Sequence, residues 1–124
     1  MSTQIPQREW SRQLDEFSRM HQGWLVSLEI QSRSLGAQSE FHQLPLVGVT
    51  AEAAKRNTIS ISVAEPTGGH FTHLIHSPTH LSIEKTDVGA DAALNIESAD
   101  GTQAILRFRA AALPETVDGI VGMI

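Results

Sequence analysis

At Gly23 the spacing of apolar residues changes from a helical period to a strand period, which limits the chain to one N-terminal helix followed by a β-rich remainder. Before the switch, Trp10, Leu14, Phe17 and either Met20 or His21 recur on one side. Arg8, Arg12, Asp15, Glu16 and Arg19 cover the other faces. Pro6 suits the first turn, where its missing N–H costs nothing, and Gly23 suits the stop. The pattern predicts an amphipathic helix over about residues 5–22. After the switch, Trp24, Val26, Leu28 and Ile30 alternate with Leu25, Ser27, Glu29 and Gln31, the mark of a strand with one buried face.

Further short strands follow. Residues 32–40 are polar around Gly36 and read as a loop. Leu44 to Thr50 is apolar, but Pro45 and Gly48 make it an edge or bulged strand. Ala51 to Arg56 reads as one helical turn. Ile59, Ile61 and Val63 alternate with serines, and Pro66-Thr67-Gly68-Gly69 is a turn. His70–His76 and His80–Lys85 flank Ser77-Pro78-Thr79, and Ala93–Ser98 and Thr102–Arg109 flank Asp100-Gly101.

The last two strands can be put in register. A three-residue loop, Ala99-Asp100-Gly101, pairs Leu94 with Leu106 and Ile96 with Ala104 and gives Gly101 the positive φ such a loop needs. A slip of one residue would turn every side chain to the other face. Arg107 and Arg109 then point outward, near Ala93 and Asp91. The same reasoning makes a hairpin of residues 70–86, with His76 opposite His80, Ile75 opposite Leu81 and His73 opposite Ile83. Phe71, His73, Ile75, Leu81 and Ile83 share one face; His70, Thr72, Leu74, His76, His80, Ser82 and Glu84 share the other. Pro114 opens a helix or an extended docking tail over 113–124, with Val117, Ile120, Val121 and Ile124 on one side.

The fold class expected is α+β. An N-terminal amphipathic helix packs on a strongly curled, mostly antiparallel sheet, or partly closed barrel, of about seven short strands over residues 23–109. With 124 residues the chain has room for one core and is read as a single domain, 1–124.

Charge narrows the functional classes. The net charge is −5, and the excess lies after residue 62, where only Lys85, Arg107 and Arg109 are basic. A phosphate backbone needs a positive stripe, so no nucleic-acid partner is expected. No apolar run approaches the ~20 residues of a membrane helix, and Met1-Ser2-Thr3-Gln4 lacks a signal-peptide core, so no membrane partner and a cytoplasmic location are expected. Without cysteine there is no disulfide, thiolate zinc site or Cys nucleophile.

One constellation invites chemistry: His70, His73, His76 and His80. A metal needs three or four ligand atoms within about 2 Å of one point. Along a regular strand His70 and His73 face opposite ways, as do His73 and His76. His70 and His76 stand about 20 Å apart. Only His76 and His80 would meet, across the turn, so no metal and no other cofactor is expected. Ser77 and Thr79 adjoin histidines but sit on a tight turn without the strand–turn–helix elbow of a nucleophile. Gly68 and Gly69 do not open a helix and are not a phosphate loop. Trp10 and Trp24 read as core anchors. Arg107 and Arg109 are structural if paired with Asp91 or Glu97, and ligands for a small anion if they line a concave sheet.

Several blocks of residues resemble a bacterial family of small single-domain proteins catalogued as a domain of unknown function. They are Ile5–Trp10, Leu14 through Phe17, His21-Gln22-Gly23-Trp24 and Val26, Leu35–Gln38, Leu44–Leu46, His73–Ile75 with Pro78, and Glu97-Ser98-Ala99-Asp100-Gly101-Thr102 running into Leu106-Arg107-Phe108. The resemblance spans residues 5–109 and implies no activity, cofactor or catalytic residue. The leading reading is therefore a non-enzymatic small domain that binds or self-assembles, as a homodimer. The alternative is a small-molecule-binding barrel, for an anionic ligand, with His73, His76, His80 and Arg107 supplying polar contacts; its enzymatic extension uses a histidine general base.

Overall fold

Pro6 holds extended backbone (φ −60°, ψ 144°) and leads through a 3-10 turn, Gln7–Glu9, into helix α1, Trp10–His21. These elements are seen in the computed structural model, which describes residues 2–52, 57–86 and 91–109. Twelve residues are marginal as a helix in water, so α1 depends on its apolar face. Trp10, Leu14, Phe17 and His21 are buried, while Met20 is 67% exposed. Gly23 ends the helix with φ 86° and donates its N–H to the Leu46 carbonyl.

Eight strands follow one another around the helix: β1 Ser2–Gln4, β2 Leu25–Ser32, β3 Gly36–Glu52, β4 Thr58–Ala64, β5 His70–His76, β6 Pro78–Lys85, β7 Asp91–Ser98 and β8 Gln103–Phe108. They form one sheet in the order β1-β6-β7-β8-β2-β3-β4-β5, with every neighbouring pair antiparallel. The α+β class holds, but the sheet does not close into a barrel, because β1 and β5 end it without pairing to each other. Strand β1 was not anticipated: its three residues are all exposed and carry no apolar alternation. Among the described residues no helix is long and apolar enough to cross a membrane.

Strand β3 corrects two expectations. It includes most of the supposed loop at 32–40, and it takes in Ala51 and Glu52 of the supposed helical turn. Leu44–Thr50, expected to be an edge or bulged strand, is both: from Gly48 on it pairs with β4 alone, and its register shifts between Leu46 and Gly48. Residues 53–56 of that turn, and the expected tail at 113–124, lie outside the described residues. The first part of β3 pairs with β2 and its second part with β4. Pro45 is tolerated because it faces Leu25, whose carbonyl is turned the other way and accepts from Arg109 N–H. The register shift between Leu46 and Gly48 falls in the segment expected to be bulged, and those between Val26 and Glu29 were not anticipated; together they bend the strand so that one sheet can fold over its own core. Gln43 sits in the bend at φ 50°, its N–H bonded to Ser27 Oγ.

The junction of β5 and β6 is the other correction. Only Ser77 separates them, yet they are not neighbours in the sheet. The expected hairpin pairing His76 with His80 does not form. Ser77 has φ 53°, donates its N–H to the Asn57 carbonyl (2.7 Å) and accepts from Ala99 N–H (2.9 Å), so the chain turns a corner from one side of the sheet to the other. A single residue spans only about 7 Å between flanking Cα atoms, so the sheet must curl until the end of β5 reaches the start of β6. The face assignments survive because period two reports faces and not partners. Ile75 and Leu81 are buried, Phe71, His73 and Ile83 half-buried, and His70, Thr72, Leu74 and His76 exposed. The β7–β8 hairpin has the expected register, with Leu94 opposite Leu106, Ile96 opposite Ala104 and Gly101 at φ 89°.

Candidate functional site

The exposed border of β5 is the first feature. On the β4 side, Ser77 N–H reaches Asn57 O and Glu65 N–H reaches Gly69 O, extending the ladder past both ends of the strand. In an antiparallel pair the residues bonded to the neighbour alternate. Phe71, His73 and Ile75 therefore bond to β4, and His70, Thr72, Leu74 and His76 turn their backbone N–H and C=O groups outward. Their side chains are also exposed, and Leu74, at 40%, is one of three large apolar side chains so placed among the described residues. Exposed strand edges are usually guarded by shortness, charge or proline. Strand β1 is guarded by its three-residue length. Strand β5 has seven residues and none of Lys, Arg, Asp, Glu or Pro.

The four residues expected to form a ligand site fall in three places, with only His73 and His76 together. His73 and His76 line a slot of about 160 Å³ between β5 and the tip of the β7–β8 hairpin, together with Ser98, Asp100 and Thr102. His73 Nδ1 stands 3.6 Å from Glu40 Oε1. The Asp100 carboxyl is held below the usual carboxylate range because Thr102 donates to it from its backbone N–H (2.9 Å) and its hydroxyl. The acids in and around this slot oppose an anionic ligand. His80 lies elsewhere, on β6, beside Thr79 Oγ1 at 3.1 Å and Glu97 Oε1 at 3.7 Å. Arg107, on β8, points outward opposite Ala93, as expected, but its ion-pair partner is Glu29 on β2, at 3.4 Å. It lines a shallow cleft with Ser27, Ser39 and His42, where Glu29 already balances its charge. Among the described residues no group of three His, Asp or Glu side chains is placed to hold a metal ion.

Sequence reasoning assigned no chemistry to His21, which the structure makes the main buried polar side chain. Its Nδ1–H donates to the Phe17 carbonyl (2.8 Å), which can only accept, and its Nε2 lies 3.1 Å from Asp91 Oδ2. Lys85 Nζ bonds the other oxygen of Asp91. The imidazole stacks between Phe17 and Phe108 with centroids at 4.2 and 5.3 Å, and meets Trp24 at 4.6 Å with the rings 75° apart. At 3% exposure it is closed to ligands and serves to fasten the end of α1 to β7 and β8. The signal available was its position four residues after Phe17 on the apolar side of the helix.

Among the described residues these features define a class: one α-helix and eight antiparallel strands, an α+β domain with a helix-covered core and one long unguarded edge. The chain belongs to the family of unknown function DUF5335, whose model matches residues 1–116 and so runs beyond the stretch 5–109 on which the resemblance was seen. It is similar to an uncharacterized protein of the bacterium Aquifex aeolicus (strain VF5), with 30% identity over 112 residues, 90% of this chain and 96% of the relative. No solved structure matches it. Neither description names an activity.

Proposed function

We propose that this chain is a non-enzymatic binding domain that works by strand addition, taking an extended segment alongside β5. The observation that carries the reading is the outward row of backbone groups on His70, Thr72, Leu74 and His76, without charge or proline to repel a partner. Each such hydrogen bond contributes about 0.5–1.5 kcal/mol net, and the outward row offers an added strand several of them in register. The dispersal of the histidines and carboxylates speaks for binding over catalysis, since a general base needs its orienting partner and an open site in one place.

Amide hydrogen exchange, resolved by residue, tests the reading. In dilute protein that light scattering shows to be monomeric, the amides of Thr72 and Leu74 are expected to exchange rapidly while those of Phe71, His73 and Ile75 are protected by β4. Protection of Thr72 and Leu74 in that monomer would mean that the chain already uses the edge itself, and would end the proposal.

A further inference from the structure

Resting on the strand-addition reading, we infer that the segment added to β5 is β5 of a second copy of this chain, antiparallel and centred on His73. The strand reads His-Phe-Thr-His-Leu-Ile-His, and its residue classes are nearly symmetric about the middle. His70 answers His76, Phe71 answers Ile75, and Thr72 answers Leu74. A twofold interface needs a surface that complements itself, and a strand that reads alike in both directions supplies one.

The hydrogen-bond parity selects the register. Outward residues must face outward residues, so a slip of one position would set outward groups against groups already bonded to β4. Centring on His73 pairs His70 with the partner's His76 and Thr72 with the partner's Leu74, and engages all four outward residues of each copy. A slip of two positions leaves the residue at one end of each strand unpaired. On the exposed face the centred register lays Leu74 beside the partner's Thr72, which covers an apolar side chain now 40% exposed. On the inner face it lays Phe71 beside the partner's Ile75. No aspartate, glutamate, lysine or arginine occurs in the strand to oppose its own copy across the axis. Strand β1, with three exposed residues of which none is apolar, offers no comparable surface.

The absence of cysteine makes a clean test possible. Sedimentation equilibrium of the full chain is expected to give twice the chain mass at high micromolar concentration. Thr72→Pro, which deletes an outward N–H, and Leu74→Lys, which adds charge to the edge, are each expected to give monomers. An unchanged circular dichroism spectrum and melting temperature identify these as folded. In the twofold register His73 faces the partner's His73, so His73→Cys is expected to form a disulfide-linked dimer under mild oxidation. His70→Cys is not, because the two copies of that residue stand about 20 Å apart. Crosslinking at residue 70 but not 73 would overturn the register. A wild-type chain that stays monomeric at every concentration, or a dimer untouched by both edge variants, would overturn the self-pairing. A monomer whose Thr72 and Leu74 amides still exchange rapidly would do so while leaving strand addition standing for a different partner.

Discussion

Two strand edges in this molecule are treated in opposite ways. Past the point where β2 leaves it, the second part of β3 has β4 on one side only, and helix α1 lies along the other. Ser18 completes the cover: its hydroxyl donates to the Val49 carbonyl (2.9 Å) and accepts from the Val49 N–H (2.8 Å), satisfying both backbone groups of the strand with one side chain. The border of β5 receives no such hydrogen-bonding cover among the described residues: the β7–β8 tip faces its second half, Leu74 included, only across the slot of about 160 Å³. An edge that the fold needs to close is closed by a helix, a polar cap and a buried latch at His21. The open border of β5 is what a binding strand requires.

The contrast can be broken most severely at the latch. His21→Ala removes a ring held between Phe17 and Phe108 and takes the imidazole contact from Asp91, leaving Lys85 beside it, in a largely buried setting. Loss of a buried ring costs several kcal/mol and loss of its polar contact adds about 1 kcal/mol, so a loss of about 3 kcal/mol in urea denaturation is expected. A change below about 1 kcal/mol would show that α1 is held without this contact. Ser18→Ala sharpens the contrast with a smaller effect. It leaves the N–H and C=O of Val49, whose side chain is wholly buried, without their hydroxyl, and is expected to lower stability by about 1–3 kcal/mol. Leu74→Lys on the open edge is expected to change the stability of the monomer by no more than about 0.5 kcal/mol. Equal losses at the two positions would mean that the edges are not different in kind.

Alternation and turn geometry are written in the sequence, and the choice of strand partner is not. The period switch at Gly23 located the end of the helix, though its start is at Trp10 and not near Ile5, and the buried faces of the strands followed from alternation. The β7–β8 register followed from Gly101, because one residue with positive φ fixes the loop length and the loop length fixes the pairing. Partner choice was not legible. Residues 70–85 alternate correctly whether β5 pairs with β6 or with β4, and nothing local reveals that Ser77 turns a corner. That error hid the open edge, since a hairpin would have given β5 a second neighbour. Residues 36–40 looked like a loop because all five are exposed and no buried side chain marks an alternation before Phe41. Spacing left the last apolar position of α1 open between Met20 and His21, and the carboxylate that His21 meets is far along the chain and signalled only by contact.

The smallest expected effect lies where the hairpin tip borders the slot. Thr102 donates from its backbone and its hydroxyl to Asp100, and both bonds favour the ionised carboxylate and lower its pKa from the ordinary 3.8. A carboxyl depressed in the folded state adds stability that is fully present above its unfolded value and is lost as pH falls through the folded value. Asp100→Asn is therefore expected to be slightly less stable than the wild type at about pH 6, with the difference shrinking below about pH 4 and vanishing once the wild-type carboxyl is protonated. Paired urea midpoints across that range measure it. A difference that persists unchanged under acid would place the role of Asp100 in the shape of the loop around Gly101 and not in its charge.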